Sequence, residues 1–281
     1  IKAYAEREVI VCGGAINSPQ ILQLSGIGKG DYIKKWGIKV VADLPGVGEN
    51  LQDHLDVLSH YECTQPVTEA KYTAGGLAVF RMATILTQWM LTKKGPGNDI
   101  GLSGVSFLKT DDTLDLPDIQ MHFIGSLLKD HGKTRPDSHA FSNHVCMLRP
   151  ESRGYIALKS LDPTVPPIIQ PNYFATQKDR DTLIKGVRMS REIMNQSAFD
   201  EYRGKEITPG VHVQSDSEIE EFIRGAAETI YHPVGTCKMG TDEHAVVDDR
   251  LRVRGVTNLR VIDASVMPTL IGGNTNAPTI M

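Results

Sequence analysis

The sequence predicts α/β segments at both ends of the chain around an inserted antiparallel sheet with helices, an α/β plus α+β organisation. Three observations predict it. Near each end a short apolar run leads through a turn or cap to a helix start, the order of a parallel α/β unit. Between them, strand-like runs mix polar and apolar residues in near alternation, as half-buried antiparallel strands do. Two helices with apolar stripes then follow. With 281 residues, 40% hydrophobic and 23% charged, the chain has room for two domains of ordinary globular composition. A formal net charge of −4 argues against nucleic-acid binding, which calls for a basic face. No apolar run is long enough to span a bilayer. Cys12, Cys63, Cys146 and Cys237 lie far apart with no C-x-x-C pair, so free thiols in a reducing, cytoplasmic compartment are expected.

The first element is Glu8-Val9-Ile10-Val11-Cys12, an apolar run bounded by Gly13-Gly14, read as a buried parallel strand entering a tight turn. Asn17 or Ser18 can cap the helix after it, with Pro19 at its first position, where a missing N–H costs nothing. Ile21, Leu22 and Leu24 supply its apolar contacts, and Ser25-Gly26 ends it. Val79 to Leu91 forms a helix that is apolar on more than one side, read first as core or pocket wall and second as an interfacial membrane contact. Residues 118–124 alternate as a half-buried strand. Residues 144–148 and 155–158 flank Pro150-Glu151-Ser152-Arg153-Gly154 and predict a hairpin. Leu183, Val187, Ser190 and Met194 mark one helical stripe. Ile219, Phe222, Ile223, Ala226, Ala227 and Ile230 mark another, with Ser217 and Glu220 as its capping box and Pro233 ending it. Tyr231 and His232 then stand at its exit. Leu259-Arg260-Val261-Ile262 is the closing strand, with Asp263-Ala264 at its end and a helix start near Asn276-Ala277-Pro278.

Several chemistries fail on spacing. Gly46-Val47-Gly48 begins like G-x-G-x-x-G, but Leu51 replaces the last glycine and no strand leads in. Gly101-Leu102-Ser103-Gly104 lacks the glycine of a nucleophile elbow. His54, His60, His122 and His144 lack metal-ligand spacing, so no metal is expected. Asp111-Asp112 and Asp248-Asp249 read as solvated turns.

The run from Gly14 through Pro19-Gln20 to Ser25-Gly26-Ile27-Gly28 is a glycine turn feeding a helix start, which favours anions. As a string it resembles a signature of the glucose–methanol–choline flavin oxidoreductases. Asp43-Leu44-Pro45-Gly46-Val47-Gly48-Glu49-Asn50-Leu51-Gln52-Asp53-His54 resembles that family's interdomain loop. Tyr231-His232-Pro233-Val234-Gly235-Thr236-Cys237-Lys238-Met239-Gly240 resembles its catalytic-histidine segment. Val261 to Pro268, continuing through Asn274-Thr275-Asn276, resembles its C-terminal flavin-binding stretch. The resemblance implies a partial FAD-binding α/β domain over residues 1–56 and 226–281, with a substrate domain inserted over 57–225. It implies FAD as cofactor, contacted by Gly13, Gly14, Ala15 and Ser18 on the adenine side and by Tyr231, Asp263, Ala264, Thr275, Asn276 and Thr279. The family's dinucleotide fingerprint lies upstream of Ile1, so both ends are expected to be internal points of a longer polypeptide.

An alcohol gives up a hydroxyl proton as its hydride leaves, and an imidazole titrating near neutrality can take that proton. The resemblance makes His232 the base and Asn274 the group that orients the substrate oxygen, with the hydride passing to flavin N5 and electrons to quinone or another non-oxygen acceptor. Choline calls for an aromatic or acidic cage. The stretch Ile124-Gly125-Ser126-Leu127-Leu128-Lys129-Asp130-His131-Gly132 opens apolar, with no aromatic after Phe123. The reading therefore favours an aliphatic primary alcohol, with choline dehydrogenase as the alternative. A reading of another class takes the chain as a non-catalytic fragment unable to hold FAD alone. Peripheral contact with an inner membrane stays with the helix at 79–91.

Overall fold

The computed structural model describes residues 2–98, 101–128, 136 and 138–281. The chain begins with β1 (Val9–Val11), α1 (Gly14–Leu24), β2 (Ile27–Gly28), α2 (Gly30–Lys35) and β3 (Ala42–Asp43). Next come β4 (Leu55–Cys63), α3 (Ala70–Thr73), α4 (Ala78–Thr92), β5 (Gly104–Leu108), β6 (Ile119–Ile124) and β7 (Ala140–Met147). Then follow β8 (Tyr155–Ala157), β9 (Ile168–Gln170), α5 (Gln177–Met194), β10 (Arg203–Thr208) and α6 (Asp216–Ala226). The last elements are β11 (Glu228–Thr229), β12 (Leu259–Val261) and α7 (Asn276–Ile280). Two units result. The first holds Ile1–His54, Leu148–Asp179 and Thr229–Met281, and the second holds Leu55–Met147 and Arg180–Glu228. Residues 148–179 thus join the unit built from both chain ends, where the sequence reading left them in the insertion.

In the first unit β1 pairs in parallel with β12, Val9 opposite Leu259 and Val11 opposite Val261. Val11 packs with Leu22, Ile27, Val246 and Val261, whereas Val9 and Ile10 are half exposed, so β1 is not the fully buried strand its composition predicts. Helix α1 starts earlier than expected: Gly13 is its N-cap, without a side-chain cap, and Gly14 has φ +74°, a conformation glycine adopts without steric cost. Pro19 therefore sits inside the helix rather than at its first position. Its missing N–H frees the Ala15 carbonyl, and the Thr236 hydroxyl donates to that carbonyl at 2.6 Å. An intrahelical bond is replaced by a tertiary one, which is how the proline is accommodated. The helix ends at Ser25 with Gly26 at φ +81°, as read from sequence.

The expected hairpin does not form. β8 pairs with β9 instead, Tyr155 opposite Gln170. Gly154 is required by close approach, since a Cβ there would lie 2.0 Å from the Gln170 carbonyl oxygen.

The second unit is an antiparallel sheet ordered β10-β4-β7-β6-β5, with α5 packed against it. Leu183, Val187, Ser190 and Met194 of α5 are all buried, the stripe predicted from their spacing. Gly186 lets the helix close on the sheet: a Cβ there would fall 2.7 Å from Val145 Cγ1. Asn143 Nδ2 donates to Ser190 Oγ at 2.8 Å, satisfying the stripe's polar member. In α6 the capping box is Ser215 with Glu218, two residues before the expected pair. Backbone N–H groups of Ser215 and Gln214 on the Glu218 carboxylate push its pKa down to about 2. The helix stops at Ala226, well before Pro233, so Tyr231 and His232 follow the extended pair Glu228–Thr229 rather than a helix exit.

Helix α4 contains no buried residue, which overturns core packing as its role. Phe80 and Leu91 are 72% and 81% exposed. On its other side Met82, Ile85, Leu86 and Trp89 line a cleft of about 720 Å³ together with Tyr72 and Leu128. Of the expected pocket stretch, residues 129–132 lie outside the described residues. Among the described residues no helix is long and apolar enough to cross a membrane.

Candidate active site

The site grows from a loop whose backbone is bent by one carboxylate. Asp53 is buried, and its Oδ1 accepts the His232 backbone N–H at 2.9 Å. Its Oδ2 accepts the hydroxyls of Tyr173 and Thr229. The Thr229 hydroxyl in turn accepts the Tyr231 N–H at 2.9 Å. These bonds hold Tyr231 at φ +65°, where a bulky side chain costs energy unless the surroundings enforce it. The bend leaves the Tyr231 ring 66% exposed and turns His232 inward. Burial, then the Asp53 charge, raise the Tyr173 phenol pKa, so it stays a donor to the carboxylate.

His232 meets a second imidazole. His54 Nδ1 and His232 Nδ1 are 3.0 Å apart, with ring planes at 86°. His54 is fully buried, and its Nε2 lies 3.2 Å from the Leu148 carbonyl oxygen. Burial above all, and then the neighbouring His232, lower its pKa to about 4. Hydrogen bonds to the Leu148 and Ile271 carbonyls oppose the shift, and the Arg149 charge adds to it. The unfolded chain binds this proton near the ordinary value of 6.5 and the folded one does not. Stability conferred by a neutral His54 is therefore complete above pH ~6.5 and is lost as pH falls toward ~4, up to about 3 kcal/mol. Urea midpoints at pH 7 and pH 4.5 check this, with the fall expected to be smaller in His54→Gln.

On its other side His232 Nε2 lies 3.5 Å from Asn274 Nδ2. The structure thus brings together the two residues read as base and orienter. Asn50 Nδ2 and Gln52 Nε2 both donate to the Pro268 carbonyl, at 3.3 and 3.2 Å, and the Gln52 Oε1 accepts the Leu270 N–H at 3.1 Å. These bonds anchor the segment leading to Asn274. The dipeptide Asp53-His54 stood inside a motif quoted from the sequence, yet its role beside His232 was missed. Sequence distance hid it, because these residues are 176 or more positions from their partners on the 229–232 loop.

Asp263, expected at the cofactor, spends its carboxylate locally. Its Oδ2 accepts the Gly14 N–H at 3.0 Å and the Ser18 hydroxyl at 2.5 Å, and its Oδ1 caps the Ser265 N–H at 2.8 Å. Ser18 Oγ also accepts the Gly13 N–H at 2.9 Å. Asp263 and Ser18 therefore shape the Gly13-Gly14 turn into α1. Ala15 is buried there, and its carbonyl is taken by Thr236. Ala264 opens the short turn that Asp263 caps. Thr275 is the N-cap of α7, and Asn276 and Thr279 lie within it.

Family models described as GMC oxidoreductase match residues 1–56 and 150–281. The chain belongs to the GMC oxidoreductase family. It is 46% identical over 282 residues to the mitochondrial choline dehydrogenase of Homo sapiens, covering all of this chain and 47% of that one. It is 45% identical over 280 residues to the oxygen-dependent choline dehydrogenase of Cronobacter sakazakii, covering all of this chain and 49% of that one. The chain spans about half the length of the curated relatives it matches. Among solved GMC-like structures, pyridoxine 4-oxidase from Mesorbium loti matches with a TM-score of 0.81 and 28% identity, covering 97% of this chain and 49% of that one. The Aspergillus oryzae RIB40 formate oxidase, solved in connection with its FAD modification, matches with a TM-score of 0.90 and 25% identity over 98% of this chain and 52% of that one.

The donor set agrees in kind with an organic redox cofactor. It offers imidazole, amide and hydroxyl groups beside a glycine turn into an eleven-residue helix. Among the described residues no group of three His, Cys, Asp or Glu could hold a metal ion.

Proposed function

We propose that the protein to which this chain belongs oxidises an alcohol with FAD as cofactor, and that its substrate is choline or a closely similar amino alcohol. The observation that carries the chemistry is His232, backbone-pinned by Asp53 and flanked by His54 and Asn274. His232 Nε2 takes the hydroxyl proton, and the Asn274 amide holds the substrate oxygen as the alkoxide develops. When bound, FAD supplies the two-electron acceptor for the hydride leaving the carbinol carbon. The Gly13-Gly14 turn and the start of α1 would face its phosphate-bearing half. Tyr231, Thr275, Asn276 and Thr279 would stand on the flavin side.

One observation puts the choline reading ahead of the aliphatic one. Relatives at 45–46% identity over the whole chain are named choline dehydrogenases.

Anaerobic mixing of the complete flavoprotein with choline or hexanol tests this. Choline is expected to bleach the flavin faster. Faster bleaching by hexanol would restore the aliphatic reading, and bleaching by neither would overturn alcohol oxidation. Turnover is expected to persist without oxygen when a soluble quinone is supplied, while dependence on oxygen alone would remove the quinone reading.

A further inference from the structure

We propose that His54 is a positioning residue that sets the tautomer of His232, in a relay running from the Leu148 carbonyl through His54 to His232 and ending on a lone pair at His232 Nε2. Its purpose rests on the alcohol-oxidation reading, but its geometry does not.

A carbonyl oxygen only accepts, so the 3.2 Å contact to Leu148 places the His54 proton on Nε2. A neutral imidazole carries one N–H, which makes His54 Nδ1 an acceptor. Across the 3.0 Å Nδ1–Nδ1 contact, His232 must then donate from Nδ1. The opposite assignment would set two lone pairs against each other in a buried place and forfeit the bond. His232 is left with its lone pair on Nε2. The amide of Asn274, a donor 3.5 Å from that nitrogen, reaches the same assignment from the other side.

Burial above all keeps His54 neutral, and the groups around it add to this. Arg149 acts on it as a like charge would, and the carboxylate of Asp53 is already taken by three donors. When His232 accepts a proton it keeps the Nδ1–H bond to His54, so loading the base requires no rearrangement of the relay. Because the far end is a backbone carbonyl, the proton cannot run on. It stays where a substrate can leave it and a later step can remove it.

Long-range proton–nitrogen correlation on the full-length protein labelled with 15N-histidine reads the tautomer without substrate or turnover. His232 is expected to show a protonated, pyrrole-type Nδ1 and an unprotonated, pyridine-type Nε2. His54→Asn, which keeps an acceptor oxygen near the position of Nδ1, is expected to retain that pattern. His54→Leu is expected to mix the tautomers and to lower kcat at least about tenfold, with a smaller change in KM, as the loss of a tautomer-setting partner does. Its kcat/KM pH profile should shift as well, which a purely structural defect would not cause. A pyridine-type Nδ1 on His232 in the wild type overturns the proposal, as does a His54→Leu protein with unchanged tautomer and pH profile. The expected tautomer in a protein that oxidises no alcohol upholds the relay and overturns the functional reading instead.

Discussion

His232→Ala is expected to slow reduction of the bound flavin by at least about 10²-fold in anaerobic stopped flow, the scale of losing a general base. The reasoning is geometric. Asp53 and His54 hold the imidazole by its backbone N–H and by Nδ1, so Nε2 is the nitrogen that can meet a hydroxyl. Alanine removes that nitrogen and keeps the backbone bond to Asp53, so the loop and the flavin spectrum should persist. The loss should fall on kcat more than on KM, because proton removal is realised in the transition state rather than on binding. A near-wild-type reduction rate would take His232 out of the role, and Asn274 alone cannot replace it, since an amide does not accept a proton at neutral pH.

Asp53→Ala is expected to damage both stability and rate. The substitution leaves the His232 N–H, the Tyr173 hydroxyl and the Thr229 hydroxyl without their acceptor. At about 1–3 kcal/mol for each stranded buried donor, with part of the loss recovered by water at this partly exposed loop, a destabilisation of about 2–4 kcal/mol is expected. Urea unfolding measures it. Released from these bonds, Tyr231 no longer needs φ +65°, and the flanking His232 should lose its alignment with His54. Flavin reduction should therefore fall further in Asp53→Ala than the loss of folded protein accounts for. Equal falls in activity and in folded fraction would show that Asp53 serves the fold alone. Asp53→Asn keeps an acceptor for the backbone N–H and should lie between the two.

Local structure was legible wherever a single segment decided it. The α4 span, the α5 stripe from Leu183 to Met194 and the Ser25-Gly26 stop of α1 follow from side-chain periodicity and turn chemistry that act within a few residues. The misplacements have a common cause. Pro19 reads as a first-turn residue because a proline inside a helix strands a carbonyl. Only the fold reveals Thr236, 221 positions from Ala15, as the donor that satisfies it. Gly154 reads as a turn glycine, yet it is glycine because the β9 backbone lies against it. Ser217 and Glu220 have the spacing of a capping box, and so do Ser215 and Glu218; the backbone entering α6 chose the earlier pair. Beside Pro233, Tyr231 and His232 read as the exit of a helix, and they lie instead in a loop with Tyr231 at φ +65°.

The site divides in the same way. Sequence alone determined the family resemblance, the flavin-type chemistry it implies and the pairing of His232 with Asn274, because those rest on strings of residues. It also determined that the middle of the chain would form an antiparallel sheet, but not that β6 and β7 would be buried on both faces rather than half-buried. Tertiary structure alone decided that Asp53 is the acceptor for three donors and that His54 stands nitrogen to nitrogen with His232. It likewise decided that Asp263 is consumed in shaping the Gly13-Gly14 turn. The physical reason is that a carboxylate or an imidazole has no fixed role until its partners are in place. Hydrogen bonding and burial settle its charge and tautomer, and both depend on segments brought together from opposite ends of the chain.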